Sequence, residues 1–301
     1  MPAYIHPTAI IDSTAVLAEE ITIGPYAVVE AGVSLGAGCH IAAHAIIRAF
    51  SILEARVSVD SFAVVGGLPQ DLSFDPAIES RVRVGEGTVI REGVTVNRST
   101  RASGETLVGK NCMLMANAHV GHDCQLGDGV IAANNVMLAG HVWVGEQSFL
   151  GGGCGIHQFV RIGALAMIGG NASVTYDVPS YVTVAERSLV TGLNLVGLKR
   201  HLSKEAITDL RACYKAVYMH AGNPVKLPRL KKADASSRIL PRSVAADASR
   251  GPVARQSSPA EGSPVEGSPR SPSAEDGAGV RLSKCLTLRI SGLGPSTQLR
   301  I

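Results

Sequence analysis

An aliphatic residue returns at every sixth position over residues 5–65 without a miss, and after a shift of phase again over residues 84–174, with Ala102 and Ala132 as weak members. A period of six fits neither an α-helix nor a single strand and is typical of a β-helix built from hexapeptide repeats. Each hexad predicts one short strand with its aliphatic residue pointing inward. Three strands close a triangular coil of about eighteen residues, and coils stack at roughly the 4.8 Å strand spacing. The 27 hexads therefore predict an all-β solenoid over residues 1–179, a left-handed parallel β-helix of about nine coils.

Two segments interrupt the repeat, Leu68 to Arg81 and Arg98 to Thr106, and the second keeps the hexad phase. The second segment is therefore predicted to be a loop that leaves an intact coil. Insertions in a solenoid usually lie on one face and often build its binding site. The sequence thus indicates where a functional site is to be sought.

The chain beyond the repeats is predicted to form a connector and a short α-helical segment over residues 180–232. Ser203 can cap a helix in which Ile207 and Leu210 begin a helical spacing. Residues 233–301 are of low complexity and contain a stretch rich in Ser, Pro, Gly and Glu. Such a composition buries too little apolar surface to offset its ordering entropy, so we expect a disordered tail, with one isolated strand possible near its end.

Four of the six cysteines fall at the fifth place of the hexad, which elsewhere holds Ala or Val: Cys39, Cys112, Cys124 and Cys154. We interpret them as small buried apolar residues. Metal binding and disulfide formation are the competing explanations, although the chain contains no Cys-x-x-Cys pair. Unpaired thiols without a signal peptide indicate a cytoplasmic protein.

Charge and hydropathy restrict the class of partner. The chain has 28 basic and 25 acidic residues, and its basic excess lies in the tail. The repeats therefore show no basic surface that favours nucleic acid. No stretch of eighteen uncharged apolar residues occurs, so no membrane span is predicted.

Four of the nine histidines cluster late in the repeats: His119, His122, His141 and His157. Steps of eighteen from His122 reach positions 140 and 158, so three imidazoles are predicted to stack along one edge with Asp123 and Gln158 beside them. Three explanations stay open. The column is a solvated polar ladder, or it ligates zinc as in a hydro-lyase of the β-helix carbonic anhydrase type, or His122 is a general base whose imidazole Asp123 orients.

Short motifs around these histidines resemble the acyl-[acyl-carrier-protein]:UDP-N-acetylglucosamine O-acyltransferase family, which catalyses the first step of lipid A synthesis. The motifs are Asn-Ala-His-Val-Gly-His-Asp-Cys at 117–124, Leu-Ala-Gly-His-Val at 138–142, Ile-His-Gln-Phe at 156–159, Gln-Asp-Leu at 70–72 and Gly-Leu-Lys-Arg at 197–200. The resemblance covers roughly residues 3 to 222.

The resemblance implies roles for individual residues. His122 corresponds to the general base that deprotonates the sugar 3-hydroxyl, Asp123 to its orienting carboxylate and the backbone N–H of Gly140 to the oxyanion donor. The implied substrate-binding residues are Gln70, Asp71, His119, His141, His157, Gln158, Asn194 and Arg200. From the residues alone, Gln70 and Asp71 are also explained as turn formers, and Asn194 and Arg200 as helix-end residues.

The resemblance also implies the partners. An (R)-3-hydroxyacyl chain arrives on the phosphopantetheine arm of acyl carrier protein, so the enzyme needs no cofactor or metal of its own. The acceptor is UDP-N-acetylglucosamine, and members are homotrimers with sites between subunits. A related N-acyltransferase acting on an amino sugar and a binding scaffold without catalysis remain as alternatives.

Overall fold

The computed structural model describes residues 3–218, 287–289 and 298–300, with side-chain environments for residues 3–215. The chain divides into two units, Met1–Leu227 and Pro228–Ile301. In the second unit, β29 (Thr287–Arg289) pairs antiparallel with β30 (Gln298–Arg300), so the isolated strand expected there is a two-stranded pair. The rest of the tail predicted to be disordered lies outside the described residues.

The first unit is a solenoid of short parallel strands that form three sheets, labelled A, B and C, with strands numbered along the chain. Sheet A contains β1 (Tyr4–Ile5), β4 (Thr22–Ile23), β7 (His40–Ile41), β10 (Ser58–Val59), β13 (Val89–Ile90), β16 (Met113–Leu114), β19 (Ile131–Ala132), β22 (Phe149–Leu150) and β25 (Met167–Ile168). Sheet B contains β2 (Ile10–Ile11), β5 (Val28–Val29), β8 (Ile46–Ile47), β11 (Val64–Gly67), β14 (Thr95–Asn97), β17 (His119–Val120), β20 (Met137–Leu138), β23 (Gly155–Ile156) and β26 (Ser173–Val174). Sheet C contains β3 (Val16–Leu17), β6 (Ser34–Leu35), β9 (Ser51–Leu53), β12 (Arg81–Val84), β15 (Glu105–Val108), β18 (Gln125–Leu126), β21 (Trp143–Val144) and β24 (Arg161–Ile162).

Each coil visits the three sheets in turn, and most residues pair with the residue eighteen places later, as Val28 does with Ile46. The inward aliphatic residues above the first coil are buried and form one continuous core. The predicted left-handed parallel β-helix is confirmed. The hexad register holds because a slip of one residue would turn every aliphatic side chain to solvent.

Both interruptions leave the helix between sheets B and C. Val84 pairs with Leu53, thirty-one residues earlier, because residues 68–80 form a loop between β11 and β12. Val84 also pairs with Val108, twenty-four residues later, because residues 98–104 form a loop between β14 and β15. The hexad of Ala102 is therefore a loop and not a face, and within residues 3–218 the repeats form 26 parallel strands where 27 hexads were counted.

The four cysteines of the hexads are buried and free, which confirms that they act as small core residues. The Sγ atoms of Cys39, Cys112 and Cys124 donate to the carbonyl oxygen fifteen residues later at 3.1–3.2 Å. Burial raises the pKa of Cys112 to about 11 and that of Cys124 to about 12. These thiols are consequently poor nucleophiles and poor metal ligands.

The segment after the coils is more structured than the sequence predicted. β27 (Val182–Ala185) continues sheet A and pairs antiparallel with β28 (Leu189–Leu193). Two helices follow, α1 (Leu195–His201) and α2 (Lys204–Tyr218). Ser203 caps α2 as predicted, with its Oγ accepting from the N–H of Ala206 at 3.2 Å. Neither described helix is long and apolar enough to cross a membrane.

Candidate active site

The predicted histidines lie on one edge of the prism, where sheet B turns into sheet C. His122 and Asp123 form the corner between β17 and β18, His141 precedes β21, and His157 follows β23. The loops 68–80 and 98–104 leave from the same edge. The eighteen-residue winding therefore brings the histidines of successive coils and both insertions to one place.

Residues that hold the same position in successive coils form a column along the prism. The imidazoles occupy adjacent columns and do not share a single column. Asp123, His141 and Phe159 share one corner position with positive φ values of 60°, 62° and 66°. His122 lies one column away, and its ring meets that of His141 edge-on with centroids 5.0 Å apart. His141 stacks on Phe159 at 4.6 Å. The exposed His157 instead contacts the carbonyl oxygen of its neighbour Gln158 through Nδ1 at 3.2 Å.

Asp123 organises the polar side of this cluster, although its side chain is only 1% exposed. Oδ1 accepts from Ser99 Oγ at 2.5 Å and from Arg101 Nε at 3.2 Å. Oδ2 accepts from the N–H and the hydroxyl of Thr100 at 3.1 and 2.7 Å, and from His122 Nδ1 at 2.9 Å. The loop 98–104 thus folds onto the carboxylate that holds the histidine.

These hydrogen bonds keep Asp123 ionised and fix the tautomer of His122. Burial raises the pKa of the Asp123 carboxyl, but the hydrogen bonds from Ser99, His122 and Thr100 outweigh burial and hold the pKa well below its usual range. An ionised carboxylate only accepts hydrogen bonds, so Nδ1 of His122 must carry a hydrogen. The neutral imidazole consequently has its lone pair on Nε2, which is the state that a general base requires.

Gly140 is required by the position of the His122 ring. A Cβ on residue 140 would lie 2.5 Å from both Nε2 and Cε1 of His122, so only glycine lets the ring lie across the next coil. The Gly140 N–H makes no hydrogen bond within the described part of the chain, whereas its carbonyl oxygen accepts from the N–H of Phe159 at 3.1 Å. The His122 ring therefore lies against residue 140, whose backbone N–H has no hydrogen-bond acceptor in the described coils.

Two further histidines complete the polar lining. His119 lies on β17 and its Nδ1 contacts Thr95 Oγ1 at 2.7 Å, across a register of twenty-four residues. Burial lowers the pKa of His119. Burial also lowers the pKa of His141, against the opposing effect of Asp123, whose Oδ2 lies 3.9 Å from His141 Nε2. Both rings are thus kept largely neutral and able to hydrogen-bond uncharged groups.

The loop 68–80 places Gln70 and Asp71 at the surface beside the cluster. A hydrogen bond from the Ser73 hydroxyl is the main cause that lowers the pKa of Asp71, and His122 and His141 lower it further. The loop therefore brings the Asp71 carboxylate within electrostatic range of the two imidazoles. The turn explanation also holds locally, because Oδ1 accepts from the Ser73 N–H at 2.8 Å.

Asn194 and Arg200 lie on a different edge. Asn194 caps α1: its Oδ1 accepts from the Gly197 N–H at 3.0 Å, and its Nδ2 donates to the Leu165 carbonyl oxygen, at the corner between sheets C and A, at 2.9 Å. The buried Asn194 amide is thus engaged by the fold itself. Arg200 is exposed in the last turn of α1. Within one chain, the structure does not join these residues to the histidine cluster.

Sequence reasoning missed several residues that build the site, namely Thr95, Ser99, Thr100, Arg101 and Phe159. A count along the coils would have found three of them. Phe159 stands eighteen residues after His141, and Thr95 and Ser99 stand twenty-four before His119 and Asp123, which is one coil plus the six-residue insertion. Arg101 sits at the exposed tip of a loop, where spacing carries no information.

A metal-ligand set is formed by His122, Asp123 and His141, whose ligand atoms all lie within 4.8 Å of one another. The set differs from the three imidazoles that zinc ligation by His122, His141 and His157 would require, because His157 stands in another column on the next coil. Asp123 already accepts five hydrogen bonds, so a cation would have to displace donors of the loop 98–104.

The hexapeptide β-helix with a histidine–aspartate pair on one edge defines a protein of the hexapeptide-repeat class. Two family models match the chain, "Bacterial transferase hexapeptide (six repeats)" over residues 105–140 and "Udp N-acetylglucosamine O-acyltransferase; Domain 2" over residues 177–245. The second match extends into the segment that the sequence assigns to the tail.

Curated relatives and solved structures agree on the family. The acyl-[acyl-carrier-protein]–UDP-N-acetylglucosamine O-acyltransferase of Agrobacterium fabrum is 40% identical over 73% of this chain and 82% of its own length. The enzyme of the same name from Syntrophobacter fumaroxidans is 41% identical over 71% and 84%. The LpxA structure from Acinetobacter baumannii matches with a TM-score of 0.70 at 37% identity, over 74% of this chain and 87% of that one. The chain belongs to the acyl-[acyl-carrier-protein]–UDP-N-acetylglucosamine O-acyltransferase family.

Proposed function

We propose that this protein transfers an (R)-3-hydroxyacyl chain from acyl carrier protein to the 3-hydroxyl of UDP-N-acetylglucosamine, the first step of lipid A synthesis. The observation that carries the proposal is the His122–Asp123 pair, in which Nδ1 is bound to the carboxylate at 2.9 Å and the ring lies against Gly140. Membership of the family supplies the substrates.

The first step is removal of a proton by His122. Nε2 accepts the hydrogen of the sugar 3-hydroxyl as that oxygen attacks the thioester carbonyl. The imidazole becomes positively charged, and the ionised Asp123 on Nδ1 stabilises that charge. Asp123 can do so without taking up the proton itself, because its hydrogen bonds keep its pKa low.

The second step is collapse of the tetrahedral intermediate. The Gly140 N–H donates to the oxyanion. The carbon–sulfur bond then breaks, and the imidazolium returns its proton to the departing phosphopantetheine thiolate. The acyl group remains on the sugar oxygen as an ester. No acyl-enzyme and no cofactor is needed. His119, His141, His157, Gln158, Gln70 and Asp71 bind the sugar, the diphosphate or the thioester arm around this centre.

We propose a homotrimer because the predicted substrate-binding residues lie on two different edges of the prism. The histidines occupy the edge between sheets B and C, whereas Asn194 and Arg200 lie near the edge between sheets C and A. A nucleotide that contacts both groups must bridge two copies of the chain. Three copies about a threefold axis give three equivalent sites.

Zinc hydro-lyase chemistry is the second candidate, because the His122, Asp123 and His141 ligand atoms are close enough to share an ion. We regard it as the weaker candidate, since Asp123 is saturated by hydrogen bonds and the three-histidine set is not formed. Metal analysis of the active purified protein decides: one zinc per site that is required for activity supports the hydro-lyase, and full acyl transfer in chelator rejects it.

The acceptor is tested with three sugar nucleotides supplied side by side: UDP-N-acetylglucosamine, its 3-amino analogue and a 2-amino sugar nucleotide. We expect ester formation on UDP-N-acetylglucosamine to be fastest, as the names of the quoted relatives imply. Faster amide formation on either amine would make the protein an N-acyltransferase. Absence of both transfer and nucleotide binding by calorimetry would instead indicate a scaffold without catalysis.

The remaining partners follow from the same proposal. Acyl carrier protein and UDP-N-acetylglucosamine are the two substrates, with no nucleic acid and no membrane span involved. We place the reaction in the cytoplasm, where a reducing environment suits the free thiols of the core.

A further inference from the structure

The loop 68–80 carries Asp71 toward the imidazoles, yet few contacts hold it. Its first residue is tied to the coils by a hydrogen bond from the Asn97 amide to the Leu68 carbonyl oxygen. Its last residue is tied by Ser80 Oγ, which donates to the Ser99 carbonyl oxygen at 2.5 Å. Between these ends the loop is largely exposed, with Pro69 buried and Phe74 and Ile78 half-buried.

Arg98, at the start of the neighbouring loop, is a buried cation without a carboxylate partner within the described ranges. The residue is only 6% exposed. Its Nη2 donates to the Pro76 carbonyl oxygen at 2.8 Å. Its guanidinium lies over the rings of Phe74 and Phe50, 5.4 and 6.0 Å from their centroids. Burying an unpaired charge is costly, so these contacts must offset the loss of water.

The same contacts fasten the middle of the loop. Among residues 3–218, the bond from Arg98 to Pro76 is the one hydrogen bond that joins residues 69–78 to other parts of the chain. Within the loop, Phe74 donates its N–H to the Asp71 carbonyl oxygen at 3.1 Å. Holding Phe74 therefore restrains Asp71, whose loop leaves the prism at the same edge as His122 and His141.

We propose that Arg98 is a positioning residue for the sugar nucleotide: by contacting Phe74 and Pro76, it holds Asp71 at the edge that carries His122 and His141. The identity of the substrate in this inference rests on the proposed function, whereas the contacts of Arg98 with Phe74 and Pro76 do not depend on it. Arg98 touches neither substrate nor the reacting atoms. It acts through the loop, so its removal loosens Asp71 while His122 and Asp123 stay in place.

The test is a double-mutant cycle with Arg98→Met and Asp71→Asn. Met keeps much of the apolar bulk but removes the donor and the charge. We expect Arg98→Met to raise the KM for UDP-N-acetylglucosamine about tenfold, as loss of substrate positioning does, with less change in the KM for acyl carrier protein. The double variant should be no worse than Asp71→Asn alone. Effects that multiply, or an unchanged KM in Arg98→Met, overturn the proposal.

Arg161→Met is the matched control, because the Arg161 guanidinium also lies over an aromatic ring, that of Trp143 at 5.2 Å, on strands away from the loop. Its KM values should stay within about twofold of wild type. Should Arg98→Met not fold, Phe74→Leu removes the stacked ring and leaves the charge, and the same rise in KM is expected. An unchanged KM in that folded variant would also overturn the proposal.

Hydrogen exchange provides a readout that is independent of activity. Arg98→Met should speed exchange of the Phe74 and Ile78 amides, which donate to Asp71 and Asp75 within the loop, and leave the amides of β17 and β20 protected. Unchanged exchange in the loop would contradict the claim that Arg98 holds this loop in place. If the wild-type protein transfers no acyl group, the proposed function fails while this measurement still decides the role of Arg98.

Discussion

Two corner columns of the same prism carry a histidine between aromatic rings, and they differ in what surrounds it. On the edge between sheets A and B, the rings of Tyr26, His44 and Phe62 stack at 5.2 Å intervals. On the edge between sheets B and C, the ring of His141 stacks on Phe159 at 4.6 Å and meets His122 on its other side. Ring stacking at eighteen-residue intervals is therefore a product of the winding and carries no chemistry by itself.

The difference lies in three departures from the regular corner. The edge between sheets B and C has a carboxylate at Asp123, a glycine at 140 that leaves room for the His122 imidazole across the coil, and an inserted loop that supplies donors to the carboxylate. Among the described residues, His44 has no hydrogen bond to an acid and no insertion beside it. The His122 imidazole can act as a base because Asp123 fixes its tautomer and Gly140 leaves room for its ring.

The difference between the two edges is tested most directly by replacing a histidine on each of them. His122→Ala should reduce acyl transfer about 10³-fold, in the range that a general base contributes. His44→Ala should change it by less than about twofold, as expected for an exposed residue outside the site. The rates are measured with saturating hydroxyacyl carrier protein and UDP-N-acetylglucosamine. Retention of most activity in His122→Ala would reject the assigned base.

The carboxylate is tested with Asp123→Asn, which tolerates the left-handed backbone of this corner. An amide can present its NH₂ group to Nδ1 and favour the wrong tautomer, so kcat should fall about a hundredfold. Asp128→Asn is the control, because the exposed Asp128 also accepts a backbone N–H, that of Lys110, at 2.8 Å on a different edge. Equal losses in the two variants would contradict the role of Asp123.

The same variant also changes how stability depends on pH. The folded-state pKa of Asp123 is depressed, so its ionised form stabilises the fold above the ordinary carboxyl pKa of about 3.9, and that contribution disappears as pH falls through the folded value. Asp123→Asn should therefore be less stable than wild type by about 1–3 kcal/mol near neutral pH. Denaturant unfolding should show the gap closing below about pH 4. A gap that widens in acid would contradict the assignment.

Access to the base is tested with Gly140→Ala. The added Cβ would meet the His122 ring at 2.5 Å and push Nε2 out of place, so kcat should fall roughly tenfold. Gly155→Ala is the control, because its Cβ would meet only the flexible Met137 side chain at an ordinary 3.8 Å. A Gly140→Ala variant with wild-type kcat would show that the ring does not need this glycine.

The sequence predicted the parts of the molecule whose position depends on spacing. Inward aliphatic residues, buried cysteines and the shared edge of His122, His141 and His157 all follow from a six-residue period and an eighteen-residue coil. Counting within one residue of a column was too coarse to separate His157 from the two histidines that meet. The Ala102 hexad was misread because a loop of the same length preserves phase without forming a face.

Contacts made by irregular segments could not be predicted in this way. Arg98 meets Phe74 because two loops fold toward each other, and no period relates their sequences. The hairpin of β27 and β28 and helix α1 were missed because residues 180–200 lack a repeating pattern, although Asn194 before a helical run is a recognisable cap. Local chemistry of this kind is decided by tertiary packing.

The smallest effect is expected from the stacked phenylalanines, and it separates stacking from catalysis. Phe159 and Phe62 are 63% and 66% exposed, and each covers one face of a histidine ring. Replacing either by Leu should cost at most about 1 kcal/mol of stability, because a stacked aromatic pair contributes about that much.

Phe159→Leu should also lower kcat about threefold, since the freed His141 ring no longer packs firmly against His122. Phe62→Leu should leave kcat unchanged. The two substitutions remove the same kind of contact from equivalent corners. Equal kinetic effects would therefore mean that the stacking of Phe159 on His141 does not contribute to catalysis.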